Sequence, residues 1–170
     1  LYVTGKIVQG YPDPYGADAI TTIKYDDQGT ALWLRTYREG LADGGVAVTV
    51  NEKGDLFVTG HSDWRDAMTL SYTPDGVLRW ARRYDGPNHA VDLGYLISVT
   101  QDDRILVSGI TNNGAGRSDV LVLAYDDAGN LLQDDVYDNP SHWWDGPSGH
   151  VLIGDALYLS GRTSTEQSWT

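Results

Sequence analysis

The stretch Leu56-Phe-Val-Thr-Gly60 is a short apolar, β-branched run closed by a glycine, and it has three counterparts: Leu1-Tyr-Val-Thr-Gly5, Ile105-Leu-Val-Ser-Gly109 and Leu157-Tyr-Leu-Ser-Gly161. The closing glycines are 55, 49 and 52 residues apart. A tandem period near 50 is the spacing of propeller blades. Two further registers advance with it. Tyr25, Gly29, Trp33 and Tyr37 are matched at the same offsets by Tyr72, Gly76, Trp80 and Tyr84; a third copy has Tyr125, Gly129 and Tyr137, with Gln133 in place of the tryptophan. An aspartate precedes each later closing glycine by 17, 17 and 16 residues, at Asp43, Asp92 and Asp145.

Each repeat reads as four strands. In the clearest copy, Val46–Val50 leads through the turn Asn51-Glu-Lys-Gly54 into Leu56–Gly60, and Ala67–Tyr72 leads through Pro74-Asp-Gly76 into Val77–Tyr84. Alternation and β-branched or aromatic enrichment mark the strands, and glycine supplies positive φ at the turns. No segment combines a sustained 3.6-residue period with a cap, so no helix is expected. The expected fold is all-β: a β-propeller of tandem four-stranded antiparallel blades, one segment over 1–170 with anchors near 1–5, 56–60, 105–109 and 157–161. Thirteen expected strands make about three and a quarter blades, an incomplete ring, where propellers close with roughly four to eight. An open arc exposes strand edges. The chain is therefore expected to be a segment of a longer propeller, or to have its ring completed by partner chains; Leu1, inside a strand with no initiator Met or signal peptide, points to the former.

Composition narrows the function classes. Without cysteine there is no disulfide framework, zinc ribbon or thiolate nucleophile. Twenty-four acidic residues against 12 basic, a net charge of −12, disfavour nucleic-acid phosphates and anionic membrane surfaces as partners. No apolar run approaches a membrane span. The acidic residues are nearly all Asp, with Glu only at 39, 52 and 166, and there are 20 glycines, a balance that favours turns over helices.

Tyr25-Asp-Asp-Gln-Gly29 followed by Ala31-Leu-Trp33, and Tyr72-Thr-Pro-Asp-Gly76 followed by Leu78-Arg-Trp80, together with the Tyr-Val-Thr-Gly motif, resemble the bacterial seven-bladed β-propeller (SBBP-type) repeat family. The likeness spans nearly the whole chain. It implies a secreted, periplasmic or cell-surface bacterial protein, often large and multidomain, and no particular reaction. The chain departs from it in the missing third tryptophan, in an insertion around Tyr11 to Tyr15, and in a fourth copy that stops after its second strand.

Alternating strand direction puts the short turns on one face and the long loops on the other. The long loops hold residues that do not recur in the motif: Tyr15, Trp64, Arg65, His89, His142, Trp143 and Trp144 among them. Ligand contacts concentrate on loops held by a rigid scaffold, so Tyr15, Trp64, Arg65, His142, Trp143 and Trp144 are the candidate binding residues. Trp143 and Trp144 either stack on a sugar ring or anchor a protein, or they cap the end of the core beside Asp145. Asp43, Asp92 and Asp145 are expected to accept backbone amides where the chain crosses between blades, since no single loop supplies the oxygens of a calcium site. Trp33 and Trp80, with Tyr25, Tyr72 and Tyr125, are expected to fill the gap between blades. No nucleophile elbow or phosphate loop is present, and neither metal nor cofactor is expected.

The leading expectation is a non-catalytic scaffold or protein-interaction module, its partner a protein or the remainder of the same propeller. Carbohydrate recognition or hydrolysis is the alternative, with Trp143 and Trp144 as the platform and Asp145 or Asp63 as the acid. A quinoprotein-like dehydrogenase ranks third, because its calcium ligands are not found.

Overall fold

A computed structural model describes residues 1–8, 18–112 and 117–164. Every paired strand is antiparallel to its neighbour, and the thirteen strands form four sheets. The first sheet holds β1 (Tyr2–Val8), β2 (Asp18–Tyr25) and β3 (Ala31–Tyr37); the second β4 (Gly44–Val50), β5 (Leu56–Ser62), β6 (Asp66–Tyr72) and β7 (Leu78–Tyr84). The third holds β8 (Asp92–Val99), β9 (Ile105–Asn112), β10 (Ser118–Tyr125) and β11 (Leu131–Tyr137), and the fourth β12 (Asp145–Ile153) and β13 (Ala156–Thr163). No helix is long and apolar enough to cross a membrane among the described residues.

The four-stranded unit is found in the second and third sheets and is corrected at both ends, where the sheets have three and two strands; the sheets form no closed ring. The reason lies in the motif: β1 and β13 carry the run that β5 and β9 carry in second position. Among the described residues the first sheet thus has no strand ahead of β1, and the fourth has none on the edge of β13 away from β12.

The closing glycines are fixed by a collision. A Cβ on Gly60 would strike the Gly44 carbonyl, one on Gly109 the Leu93 carbonyl, and one on Gly161 the Gly146 carbonyl. Each of those carbonyls belongs to the residue after the repeated aspartate. There the first strand of the sheet bulges, its register slipping between Gly45 and Ala47, Gly94 and Leu96, and Pro147 and Gly149. Gly5, with no such strand beside it, has nothing within 4 Å of a Cβ.

Adjacent sheets are joined by apolar packing and a polar latch. Phe57, Trp80 and Tyr84 of the second sheet pack with Ile97, Ile105, Leu121, Leu123 and Tyr125 of the third. The Trp80 indole donates to the Asp127 carbonyl at 2.9 Å, and Arg82 donates to the Gly129 carbonyl at 2.6 Å while its guanidinium lies over the Trp80 ring. Trp33 and Arg35 do the same to the Pro74 and Gly76 carbonyls, at 3.1 and 2.7 Å. In the third sheet Gln133 and Asp135 occupy the latch positions and bond each other at 2.5 Å. Every residue of β11 is exposed.

Candidate functional site

Contacts between sheets sort the connections onto two faces. Among the short turns, Asn51 and Lys53 donate to Asp103 at 2.8 and 2.5 Å, and Arg79 bonds Asp127. Among the long loops, the Leu41 and Ala42 amides donate to Asp63 at 2.7 and 3.0 Å, and the Asp92 amide donates to the Arg65 carbonyl at 2.5 Å. Candidate ligand-binding residues lie on this second face.

Two of its loops are built alike. Residues 85–92 read Asp-Gly-Pro-Asn-His-Ala-Val-Asp and residues 138–145 read Asp-Asn-Pro-Ser-His-Trp-Trp-Asp. In each, the histidine sits at positive φ, its Nδ1 bonds the aspartate four residues earlier (2.7 Å for His89–Asp85, 2.5 Å for His142–Asp138), and the final aspartate accepts the amide after the first. His142 therefore belongs to the repeat, as the equivalent of His89, a correspondence legible in the Asp-x-Pro-x-His-x-x-Asp spacing. Asp85 and the charge-assisted bond it makes hold the His89 imidazolium above its usual pKa range. Asp43 accepts the Glu39 and Gly40 amides at 2.6 and 2.9 Å. All three repeated aspartates are buried and cap loop amides in this way.

These loops also gather carboxylates. Oxygens of Asp66, Asp85 and Asp92 lie within 4.8 Å of one another, as do those of Asp119, Asp138 and Asp145. The spacing within each set is the same, 19 then 7 residues. Chemically such oxygens suit a hard cation. In the first set, however, the protein supplies its own charges and donors: Arg83 pairs with Asp66, His89 with Asp85, and the Gly86 amide with Asp92. In the second, Asn139 satisfies Asp145 through both its backbone and side-chain nitrogens, at 2.9 and 2.6 Å. Gly86 has no such carboxamide, and Oδ1 of Asp92 lacks the amide partner that Asn139 gives Asp145. Burial, with the Asp66 and Asp85 charges adding to it, pushes the Asp92 carboxyl up.

The candidate aromatics fall into different environments. Trp64 sits at positive φ, 54% exposed, its ring stacked on buried His61 with centroids 3.8 Å apart. Burial pulls the His61 pKa down, which keeps the imidazole neutral under that ring. Arg65 beside it is exposed, and its guanidinium makes no hydrogen bond or ion pair among the described residues. Trp143 is half-buried under Arg117, whose guanidinium lies 4.5 Å from the ring and also donates to the His142 carbonyl. Trp144 is 52% exposed, yet its backbone is fixed, because its carbonyl accepts both the Ser164 amide and hydroxyl at 3.0 Å. Tyr15 lies outside the described residues.

Trp144 lines a cavity of about 330 Å³ with Asp145, Gly146, Arg162 and Ser164. Gly146 and Arg162 also line an adjoining apolar groove of about 370 Å³ that runs past Tyr137, Pro147 and Leu159. Arg162 had no signal in the sequence, because it follows a closing glycine where the other copies have Lys6, His61 and Ile110.

The residues expected to be structural are graded by position. Trp80, Tyr72 and Tyr125 are buried, whereas Trp33 and Tyr25 of the three-stranded first sheet are half-buried. His150 bonds Ser98 and Ser108 through its two ring nitrogens, at 2.8 and 2.5 Å, across the joint between the third and fourth sheets. Ser108 is fully buried, so the pair holds the joint and presents no nucleophile.

No family model matches the chain, and no curated protein matches it.

Proposed function

We propose that this chain is a non-catalytic segment of a β-propeller of the bacterial seven-bladed repeat kind, part of a larger extracellular, periplasmic or cell-surface protein, and that it binds a protein partner through its long-loop face. The propeller reading is supported by the neighbourhood of the first-position strands, β4 lying against β8 and β8 against β12, as strands around a common axis would. The observation that carries the binding reading is Trp64: a half-exposed indole, stacked on a buried neutral histidine and flanked by the exposed Arg65, on a loop tied to its neighbour by Asp63. Exposed Trp and Arg on a rigid frame are the residues that dominate interface energetics. The test is affinity capture from the parent organism's envelope fraction with wild-type protein and with Trp64→Ala/Arg65→Ala. A specific protein retained by the first and lost by the second supports the reading, and identical captures sink it.

A second reading, carbohydrate recognition, is favoured by one separate observation, the exposed Trp144 ring beside the Arg162 cavity.

A further inference from the structure

We infer that the cavity between Trp144 and Arg162 is a subsite for a neutral pyranose, and that the adjoining groove along Tyr137 and Leu159 receives the next residue of the same oligosaccharide. The inference rests on the carbohydrate reading of this face and gives it a place and a ligand class.

Four features converge there. The Trp144 ring is half-exposed while its backbone is held by Ser164, so a flat apolar surface is presented from an anchored main chain. In the same lining, the Arg162 guanidinium makes no hydrogen bond or ion pair among the described residues, which leaves five N–H donors in a planar fork for hydroxyl oxygens. The Ser164 hydroxyl donates to the Trp144 carbonyl and keeps its acceptor capacity toward the cavity. An aromatic face beside polar groups is what a sugar ring needs, with its apolar C–H face and its rim of hydroxyls. Finally, the two spaces share Gly146 and Arg162, and each, at about 330 and 370 Å³, falls at the small end of ligand cavities. Their continuity suits a chain of sugars better than a single one.

The charge of the ligand follows from what lies behind the cavity. Asp145 forms part of its wall, with Asp119 and Asp138 oxygens within 4.8 Å of it, in a chain of net charge −12. One guanidinium offsets this locally but does not make the site an anion receptor. An acidic sugar meets repulsion, whereas a neutral one does not. An apolar peptide side chain is the poorer fit at the Trp144 end, because Asp145, Arg162 and Ser164 line the cavity there.

The test is isothermal titration of the protein with cellopentaose, N-acetylchitopentaose and pentagalacturonate. Saturable binding of at least one of the two neutral probes is expected, with pentagalacturonate at least about tenfold weaker. Trp144→Ala and Arg162→Gln should each weaken the neutral probe by about tenfold or more, while Leu32→Ala, an exposed change in the first sheet, leaves it unaltered. Both test positions are exposed, so unchanged melting curves are expected to show that the variants are folded. Absence of saturable binding by either neutral probe at millimolar concentration overturns the inference, as does Trp144→Ala binding like wild type. A neutral probe bound equally well by both variants leaves the carbohydrate reading standing and removes this subsite from it.

Discussion

The indole N–H of Trp80 donates to the backbone carbonyl of Asp127, 47 residues further along the chain, at 2.9 Å. The turn that carries that carbonyl also places Gly129 flat against the ring. A Cβ there, at φ +79°, would approach Trp80 Cδ2 to 2.7 Å. Removing the ring by Trp80→Ala should cost roughly 3 to 5 kcal/mol by cavity formation. Gly129→Ala should cost roughly 1 to 3 kcal/mol from backbone strain and displacement of the ring. Urea denaturation reads both, and a Gly129→Ala protein as stable as wild type would show that the turn does not seat on the indole.

Gly5 and Gly109 occupy the same motif position but should tolerate substitution differently. Alanine at 109 drives a methyl into the Leu93 carbonyl, whereas alanine at 5 meets open space. Gly109→Ala is expected to lose more than about 2 kcal/mol, and Gly5→Ala to stay within about 0.5 kcal/mol of wild type. Paired thermal melts decide it: equal losses in the two proteins would mean that the bulged strand does not lie over the glycine.

Asp92 should make stability fall as pH rises. Its folded-state pKa is raised by burial, so the folded protein holds this proton more tightly than the unfolded chain does. The stability it contributes is present below the unfolded value of about 3.9 and is lost as pH rises through the raised folded value. Asp92→Asn should therefore gain on wild type as the pH is raised from about 4. Denaturation midpoints of the two proteins across that range check the sign, and parallel curves would contradict it. Gly86→Asn offers Asp92 the carboxamide that Asn139 gives Asp145, so carbon-detected NMR titration should find the Asp92 carboxyl ionising at lower pH than in wild type.

His150 works in the opposite direction. Burial lowers its pKa, so its contribution is complete above the unfolded value of about 6.5 and is lost as the pH falls below it. Because the imidazole joins Ser98 and Ser108 to the fourth sheet, the loss should appear first as faster amide exchange in β12 and β13. Comparing exchange at pH 7.5 and 5.5, after correction for intrinsic rates, should show that acceleration in wild type and not in His150→Gln.

Much of the strand architecture was legible because it is periodic. The repeated run, the tyrosines and the turn glycines anticipated thirteen strands, and Gly29, Gly54, Gly76 and Gly129 do take positive φ. Boundaries moved by a residue or two where bulges shift the register, as at Gly44–Val50. What escaped the reading depends on contacts between repeats. Arg35 and Arg82 recur two residues after a tryptophan, but only the structure shows them bonded to the next sheet's turn. The 19-and-7 spacing of the carboxylate sets is visible in the sequence, yet their proximity comes from the start of one strand meeting the loop that holds the other two. Trp143 and Trp144 look equivalent on paper, and the difference between them is a single arginine, Arg117, that the fold brings over one ring and not the other.

The Trp-x-Arg latch gives the row of sheets a polarity. The first and second sheets carry the bolt on their last strands, and the second and third carry the keeper on the turn into their last strands, so among the described residues one unit grips the turn of the unit that follows it. A mirrored arrangement, bolt facing bolt, would leave two indoles with no carbonyl to meet. Extra units spliced into the row should seat only when inserted in the same orientation and register. The joint after β11, where Gln133 and Asp135 replace the bolt, is the place where the row should part first when it is pulled from its ends.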